Sequence, residues 1–280
     1  MIGKLILCAT PIGNLEDITI RTINTLKEVD YIAAEDTRHT KKLLNAYDIN
    51  TPLTSYHEHN KIEKGKVLIQ KIKEGKTIAL VSDAGTPGIS DPGEELVKMC
   101  YEEEIIVTAL PGAVAGIMAL ILSGLSTRRF SFEGFLPLEN KERNYLIDQL
   151  VNETRTIIIY EAPHRLKRTL RDLNQKLGNR KITLCRELTK RYETIIPTDI
   201  EGAIEVYNQE DPKGEYVLIL EGKPIEEIKE EAQDEWKKLT INEHMDYYFK
   251  KGIDKKEAMK KVAKDRGIGK REVYDYLIKD

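Results

Sequence analysis

TIALVSDAGTPGISDPG, residues 77–93, joins a short unbroken apolar run to a loop dense in glycine and proline. The run at 77–82 has the length of a buried strand, and the loop after it has turn chemistry. The same join occurs twice more. KLILCAT at 4–10 runs into TPIGN at 10–14, and an apolar stretch at 105–109 runs into LPGAVAG at 110–116. Between these lie helical patterns at 19–28, with Ile20, Ile23 and Leu26 on one face, and at 94–103, and a further strand at 29–34. Strands that alternate with helices, each nearly continuous in apolar residues, predict an α/β fold with a parallel or mixed sheet covered on both faces. In such sheets ligands bind at the carboxyl ends of the strands, where the three loops fall. None of the loops fits G-x-G-x-x-G or a P-loop, which disfavours a dinucleotide or a nucleoside triphosphate.

A second block repeats the theme. TIIIYE at 156–161 reads as a strand, 165–177 as a helix, 181–185 as a strand and 216–220 as the last strand. An uncharged run at 107–127 is split by Pro111 and Gly112, so it holds a buried core helix of about a dozen residues rather than a membrane span. It stops near Gly124, ahead of Arg128 and Arg129, and the domain boundary is placed there. After Gly222 the chain turns acidic over 226–235, and three short helical patterns follow at 241–251, 255–265 and 270–279. The expected organisation is an α/β domain at 1–124, a second at 125–222, and a linker with a tri-helical, helix-turn-helix-like module at 223–280.

Bulk properties narrow the function. Of the 280 residues 40% are hydrophobic and 32% charged, which supports packed cores and excludes disorder. A net charge of −3 means that any nucleic acid must be met by a local patch. Cys8, Cys100 and Cys185 are scattered, which argues against a disulfide framework or zinc site and fits a reducing cytosol. The apolar stretch at 5–9 is too short for a signal-peptide core, so a cytoplasmic location without membrane attachment is expected. His39, His57, His59 and His164 lie in polar clusters, but at no metal-ligand spacing, and no metal is expected.

The ordered motifs TPIGNLEDIT, AAEDTRHT, SYHEHN, LVSDAGTPGISDPG, LPGAVAGIMAL, FEGFLP, EAPHRL and RELTKRYE resemble the bacterial ribosomal RNA small-subunit methyltransferase I family, one of the tetrapyrrole (corrin/porphyrin) methylases. The resemblance runs from about residue 4 to residue 222 and extends to the tri-helical tail. It implies two α/β domains with S-adenosylmethionine in the cleft between them, 2′-O-methylation of a cytidine in the decoding region of 16S rRNA on the small ribosomal subunit, and a homodimer. It also implies cofactor contacts from Pro11, from Ala84, Gly85, Thr86 and Ile89, from Val114 and Ala115, and, in the second block, from Glu161, Ala162 and Leu188. Thr86 stands where the precorrin enzymes of the fold carry aspartate, so any contact through that carboxylate does not carry over.

Methyl transfer is an in-line displacement that depends on positioning, and a hydroxyl acceptor must also lose a proton. Asp36 and Glu35 are the candidates for that step, while Arg38, His39, His57, His164 and Arg165 are the candidates for RNA contact. Read without function, Asp36 is a helix N-cap and Arg38 its ion-pair partner. Two other functions remain open: the same fold acting on a tetrapyrrole precursor or a modified protein side chain, and a non-catalytic RNA-binding assembly protein.

Overall fold

The computed structural model describes residues 3–279. In chain order it contains β1 (Lys4–Cys8), α1 (Ile20–Glu28), β2 (Tyr31–Ala34), α2 (Thr37–Ala46), β3 (Leu53–Ser55), α3 (Lys61–Lys73), β4 (Ile78–Val81), α4 (Gly93–Glu102), β5 (Ile106–Leu110) and α5 (Ala115–Leu122). There follow β6 (Phe130–Phe135), α6 (Asn140–Leu150), β7 (Thr156–Glu161), α7 (Pro163–Leu177), β8 (Lys181–Arg186), β9 (Thr194–Asp199), α8 (Ile200–Gln209) and β10 (Tyr216–Leu220). Four helices end the chain: α9 (Ile225–Lys237), α10 (Ile241–Lys250), α11 (Lys255–Arg266) and α12 (Lys270–Lys279). None of the described helices is long and apolar enough to cross a membrane. Contacts divide the chain into two compact units. One holds both sheets, up to Asp148 and again at Arg155–Glu221; the other joins Gln149–Thr154 to the chain from Gly222 onward.

The first sheet has the order β3-β2-β4-β1-β5 and is parallel throughout. Its central strands β1, β2 and β4 read as nearly unbroken apolar runs because both their faces are covered, whereas the edge strand β5 leaves Ile106 exposed. Leu5, Ala33, Ile78 and Leu80 pack with Leu68 and Ile72 of α3 and with Leu96 and Cys100 of α4. The alternate residues Ile6, Cys8, Ile32 and Ala79 pack on the other face with Leu26 of α1 and Leu44 of α2. All three cysteines are buried, and burial pushes the Cys8 thiol up to about 12, so each behaves as a small apolar side chain.

The second sheet, β6-β7-β10-β8-β9, is mixed: only β6 and β7 run parallel. One face is covered by α5, whose Ala119 and Leu120 join a core with Ile158, Cys185, Val217 and Ile219. The last helix before residue 124 therefore packs on the second sheet. Only one side of it is buried, since Ile117, Ile121 and Leu122 are exposed, and at eight residues it is shorter than the buried core helix of about a dozen expected there. In α7 a stripe of Leu166, Thr169, Leu170, Leu173 and Leu177 is buried at helical spacing.

Within the chain from Gly222 onward, four helices replace the expected three. The acidic stretch read as a linker is α9, whose Trp236 ring stacks on the buried His244 at 3.9 Å between centroids. Arg266 donates to His244 Nδ1 at 3.1 Å and to the carbonyls of Leu239 and Thr240, which fixes α10 to α11. Met245, Met259, Val262 and Val273 supply the apolar core of this unit.

A buried cation braces the second sheet from below. Arg143, 1% exposed, donates to Asp172 at 2.8 Å and to the Thr169 hydroxyl at 2.7 Å, and that hydroxyl in turn donates to the buried carboxylate of Glu161. Removing one member of such a network strands the others without partners. We expect Arg143→Met to lower stability by about 3 kcal/mol, read as a shift of the urea midpoint at unchanged slope; an unshifted midpoint would show that the network contributes nothing.

Candidate active site

In a parallel sheet every strand ends on the same edge, so the loops after β1, β2, β4 and β5 meet there. Backbone bonds tie them together. The Thr10 N–H donates to the Gly85 carbonyl at 2.8 Å, and the Gly85 N–H to the Thr10 carbonyl at 3.1 Å. The Thr86 hydroxyl donates to the Ala113 carbonyl at 3.0 Å, joining the second loop to the third. Gly85 has φ +82°, and a Cβ there would lie 3.2 Å from both the Ala113 carbonyl and the Ile12 methyl. Only glycine fits both that backbone conformation and that space. The turn that follows is closed by Asp91, whose carboxylate accepts from the N–H groups of Gly88 and Gly93, each at 2.8 Å.

These loops border a cavity of about 510 Å³ completed by residues of the second sheet. Ala84, Gly85, Thr86, Ile89, Val114, Ala115, Glu161 and Ala162, all expected to touch the cofactor, lie on its wall, as do Glu35 and His164. The wall also carries Asp83, Asp91, Phe135, Tyr160 and Tyr216, which the sequence reading did not single out. Asp83 stands within the quoted SDAGTPG, and Tyr160 immediately precedes Glu161, so both had a signal in sequence. Phe135 stands within the quoted FEGFLP, while Tyr216 was read only as the start of the last strand. The Tyr160 hydroxyl accepts from the Gly116 N–H at 3.0 Å, which fixes the ring beside the first turn of α5.

Pro11 and His39 line a neighbouring cavity of about 500 Å³ that shares Ile12, Ser82, Asp83, Ala84 and Glu215 with the first. Lys42 and Lys190 add two cations to it, and Lys190 is held by Glu187 at 3.0 Å and Glu215 at 2.8 Å. Leu188 is on neither wall. It is buried in the core with Ile12, and its carbonyl would lie 2.8 Å from a Cβ on Gly13. Glu187 and Thr189, on either side of it, have φ of 52° and 65°, a left-handed backbone that costs non-glycine residues energy and persists only where packing imposes it.

The two carboxylates at the end of β2 differ sharply. Asp36 caps α2, accepting from the Arg38 N–H at 2.8 Å, and its ion pair with the Arg38 guanidinium at 2.9 Å holds its pKa at about 2. Glu35 is pushed above its ordinary value, first by burial and then by the charges of Asp83, Asp91 and Glu58. His57 is held by Asn60, whose side-chain amide meets its Nε2 at 3.2 Å. Arg165 is engaged internally: it donates to the carbonyls of Leu136 and Pro137 and lies 3.5 Å from Glu161. Arg38, by contrast, has a side chain that is 90% exposed.

The cavity fits S-adenosylmethionine. Its volume is within the range of small-molecule sites, roughly 300–1,000 Å³. Gly85 keeps a surface open that any side chain would fill. The carboxylates of Glu35, Asp83 and Asp91 give negative potential suited to a sulfonium, and Phe135 and Tyr160 supply aromatic surface. Among the described residues no group of three or more metal-ligating side chains comes together.

Known proteins agree with this reading. The profile of the Tetrapyrrole (Corrin/Porphyrin) Methylases matches residues 4–204. A Ribosomal RNA small subunit methyltransferase I from Halalkalibacterium halodurans is 52% identical over 98% of this chain and 94% of its own length. One from Thermotoga maritima is 47% identical over 99% of its length but only 79% of this chain. Among solved structures, a uroporphyrin-III C-methyltransferase from Thermus thermophilus, in complex with S-adenosyl homocysteine, superposes with a TM-score of 0.55 at 16% identity, covering 78% of this chain and 97% of that one. The chain is an S-adenosylmethionine-dependent methyltransferase. It belongs to the tetrapyrrole methylases and, within them, to the ribosomal RNA small subunit methyltransferase I family.

Proposed function

We propose that the enzyme methylates the 2′-hydroxyl of a cytidine in the decoding region of 16S rRNA, acting with small ribosomal subunits in the cytoplasm. The observation that carries this reading is the 52% identity, over nearly the whole of both chains, to a relative named for the ribosomal RNA of that subunit. Bound S-adenosylmethionine supplies an electrophilic methyl group on a sulfonium. The residues of the 510 Å³ cavity hold it, through the loop backbones at 84–86 and 114–115. The neighbouring cavity, with His39, Lys42 and Lys190 on its wall, would receive the acceptor nucleoside across the wall it shares with the first, and such positioning is what the displacement requires. Glu35 accepts the proton of the hydroxyl as it attacks. Asp36 is a poor base, being held ionised by Arg38, and that pair instead presents a guanidinium to the RNA backbone. The apolar surface formed by Ile117 and Ile121 of α5 and by Phe130, Phe132 and Phe135 of β6 is the face on which two copies pair as a homodimer.

Each of these assignments has its own test. Gly85→Val should abolish cofactor binding in calorimetry while the protein still melts cooperatively; a folded variant with unchanged affinity would put the cofactor elsewhere. With tritiated S-adenosylmethionine and small subunits, kcat should rise with pH through an ionisation above the 4.5 of an ordinary glutamate and then level off, because the base acts only when ionised. Glu35→Gln should remove that limb and lower kcat by roughly 10²–10⁴-fold, and an unaltered profile would clear Glu35 of the role. Tetrapyrrole precursors offered in the same assay should stay unlabelled. Finally, Ile117→Asp with Ile121→Asp should halve the mass found by sedimentation equilibrium, whereas a wild-type monomer would exclude the dimer.

A further inference from the structure

The unit from Gly222 onward contains a cavity of about 580 Å³ lined by Lys255, Lys256, Met259, Lys270, Arg271 and Tyr274. Four basic side chains thus border one concavity on the first turns of α11 and α12, lining it mostly with their apolar stems. The acids nearby in sequence are committed elsewhere. Asp254 caps α11, accepting from the N–H groups of Lys256 and Glu257 at 2.9 and 3.0 Å. Glu257 pairs with Lys260 at 3.2 Å, and Glu272 accepts from the Gly269 N–H at 2.8 Å. Asp275 reaches Arg271 only at 4.0 Å, with both side chains well exposed. Among the described residues Lys255, Lys256 and Lys270 have no ion-pair or hydrogen-bond partner for their ammonium groups.

Tyr274 adds a second, different feature. Tyr247 and Tyr248 in the same unit are packed against Trp236 and His244, but Tyr274 makes no ring contact and is 52% exposed. An open aromatic face bordered by three unpartnered lysines and a loosely paired arginine has the chemistry of a single-stranded nucleic-acid site: cations for phosphates, a ring for one base. The like charges around this wall repel one another, and a polyanion relieves that repulsion. The whole chain carries a net charge of −3, so RNA affinity has to arise from a local concentration of cations of this kind.

We propose that this cavity binds the phosphodiester backbone of the rRNA substrate and stacks one unpaired base on Tyr274. The proposal rests on the rRNA reading above and adds a docking site separate from the chemistry. None of its lining residues borders the two cavities assigned to the reaction, so the site's contribution lies in substrate capture rather than in turnover.

The test uses the full-length enzyme with small ribosomal subunits and, separately, with protein-free 16S rRNA. All four cations are replaced by alanine together (Lys255→Ala, Lys256→Ala, Lys270→Ala and Arg271→Ala), and Tyr274→Ala and Tyr274→Phe are made singly. These side chains are exposed, and unchanged melting confirms folding. The fourfold variant should bind both RNAs more weakly, and its slope of log affinity against log salt should become shallower by about 3. Its KM for subunits should rise, with kcat at saturation and cofactor affinity unchanged. Tyr274→Ala should weaken binding roughly fivefold or more without altering the salt slope, and Tyr274→Phe should restore it. Unchanged affinity and slope in the fourfold variant overturn the proposal. So does a loss confined to subunits with protein-free rRNA unaffected, which would assign the cavity to a ribosomal protein. Should the wild type label no RNA at all, the functional reading fails, and the binding measurements still decide the site.

Discussion

Everything at the active edge depends on the paired backbone hydrogen bonds between Thr10 and Gly85. They clip the loop leaving β1 to the loop leaving β4, and Thr86 extends the clip to the loop leaving β5. The three loops are thereby one surface with fixed spacing rather than three independent turns. The clip requires a residue with positive φ and no side chain at position 85, and it accounts for the small residues around it. Binding to a preformed surface loses little ordering entropy, which is what a displacement reaction governed by geometry needs.

Electrostatics divides labour between adjacent carboxylates on the same strand end. One step along the chain takes the carboxyl group from a solvated helix cap, neutralised by a guanidinium, to a half-buried position among three other acids. Two groups of nearly identical intrinsic acidity end up on opposite sides of their ordinary values. Such separation is how a site holds one group permanently charged and another able to exchange a proton. Both residues follow β2, Glu35 in the turn and Asp36 at the N-cap of α2, and that one-residue change of position is enough to produce it.

The parallel sheet, and the edge that bears the candidate site, were legible because β1, β4 and β5 are mostly apolar runs ended by loops rich in glycine and proline. Other elements were hidden by residues that break the usual rules for good reasons. Gly134, with φ +61°, sits at a register shift in β6, and Pro197 is tolerated in β9 because that strand is an edge. The acidic α9 buries none of its residues fully, and its apolar stripe of Ile225, Ile228, Ala232 and Trp236 is outweighed by six acidic residues. At the site, motif position indicated which residues are near the cavity but not which way each one faces. Leu188 turns into the core, Pro11 onto the neighbouring cavity, and Arg165 onto backbone carbonyls. Those outcomes depend on partners far away in sequence.

The strand order of the second sheet has a consequence for how the protein is made. The centre of that sheet is β10, the last strand to leave the ribosome, and it separates two pairs, β6-β7 and β8-β9, that are complete well before it. Until residues 216–220 emerge, β7 and β8 each present an open apolar edge, and α5, synthesised about a hundred residues earlier, has no complete floor to rest on. At translation rates of roughly 5–20 residues per second the nascent chain carries this surface for several seconds. The native topology thus builds in a period during which apolar strand edges stay open, ended by the insertion of a single five-residue strand.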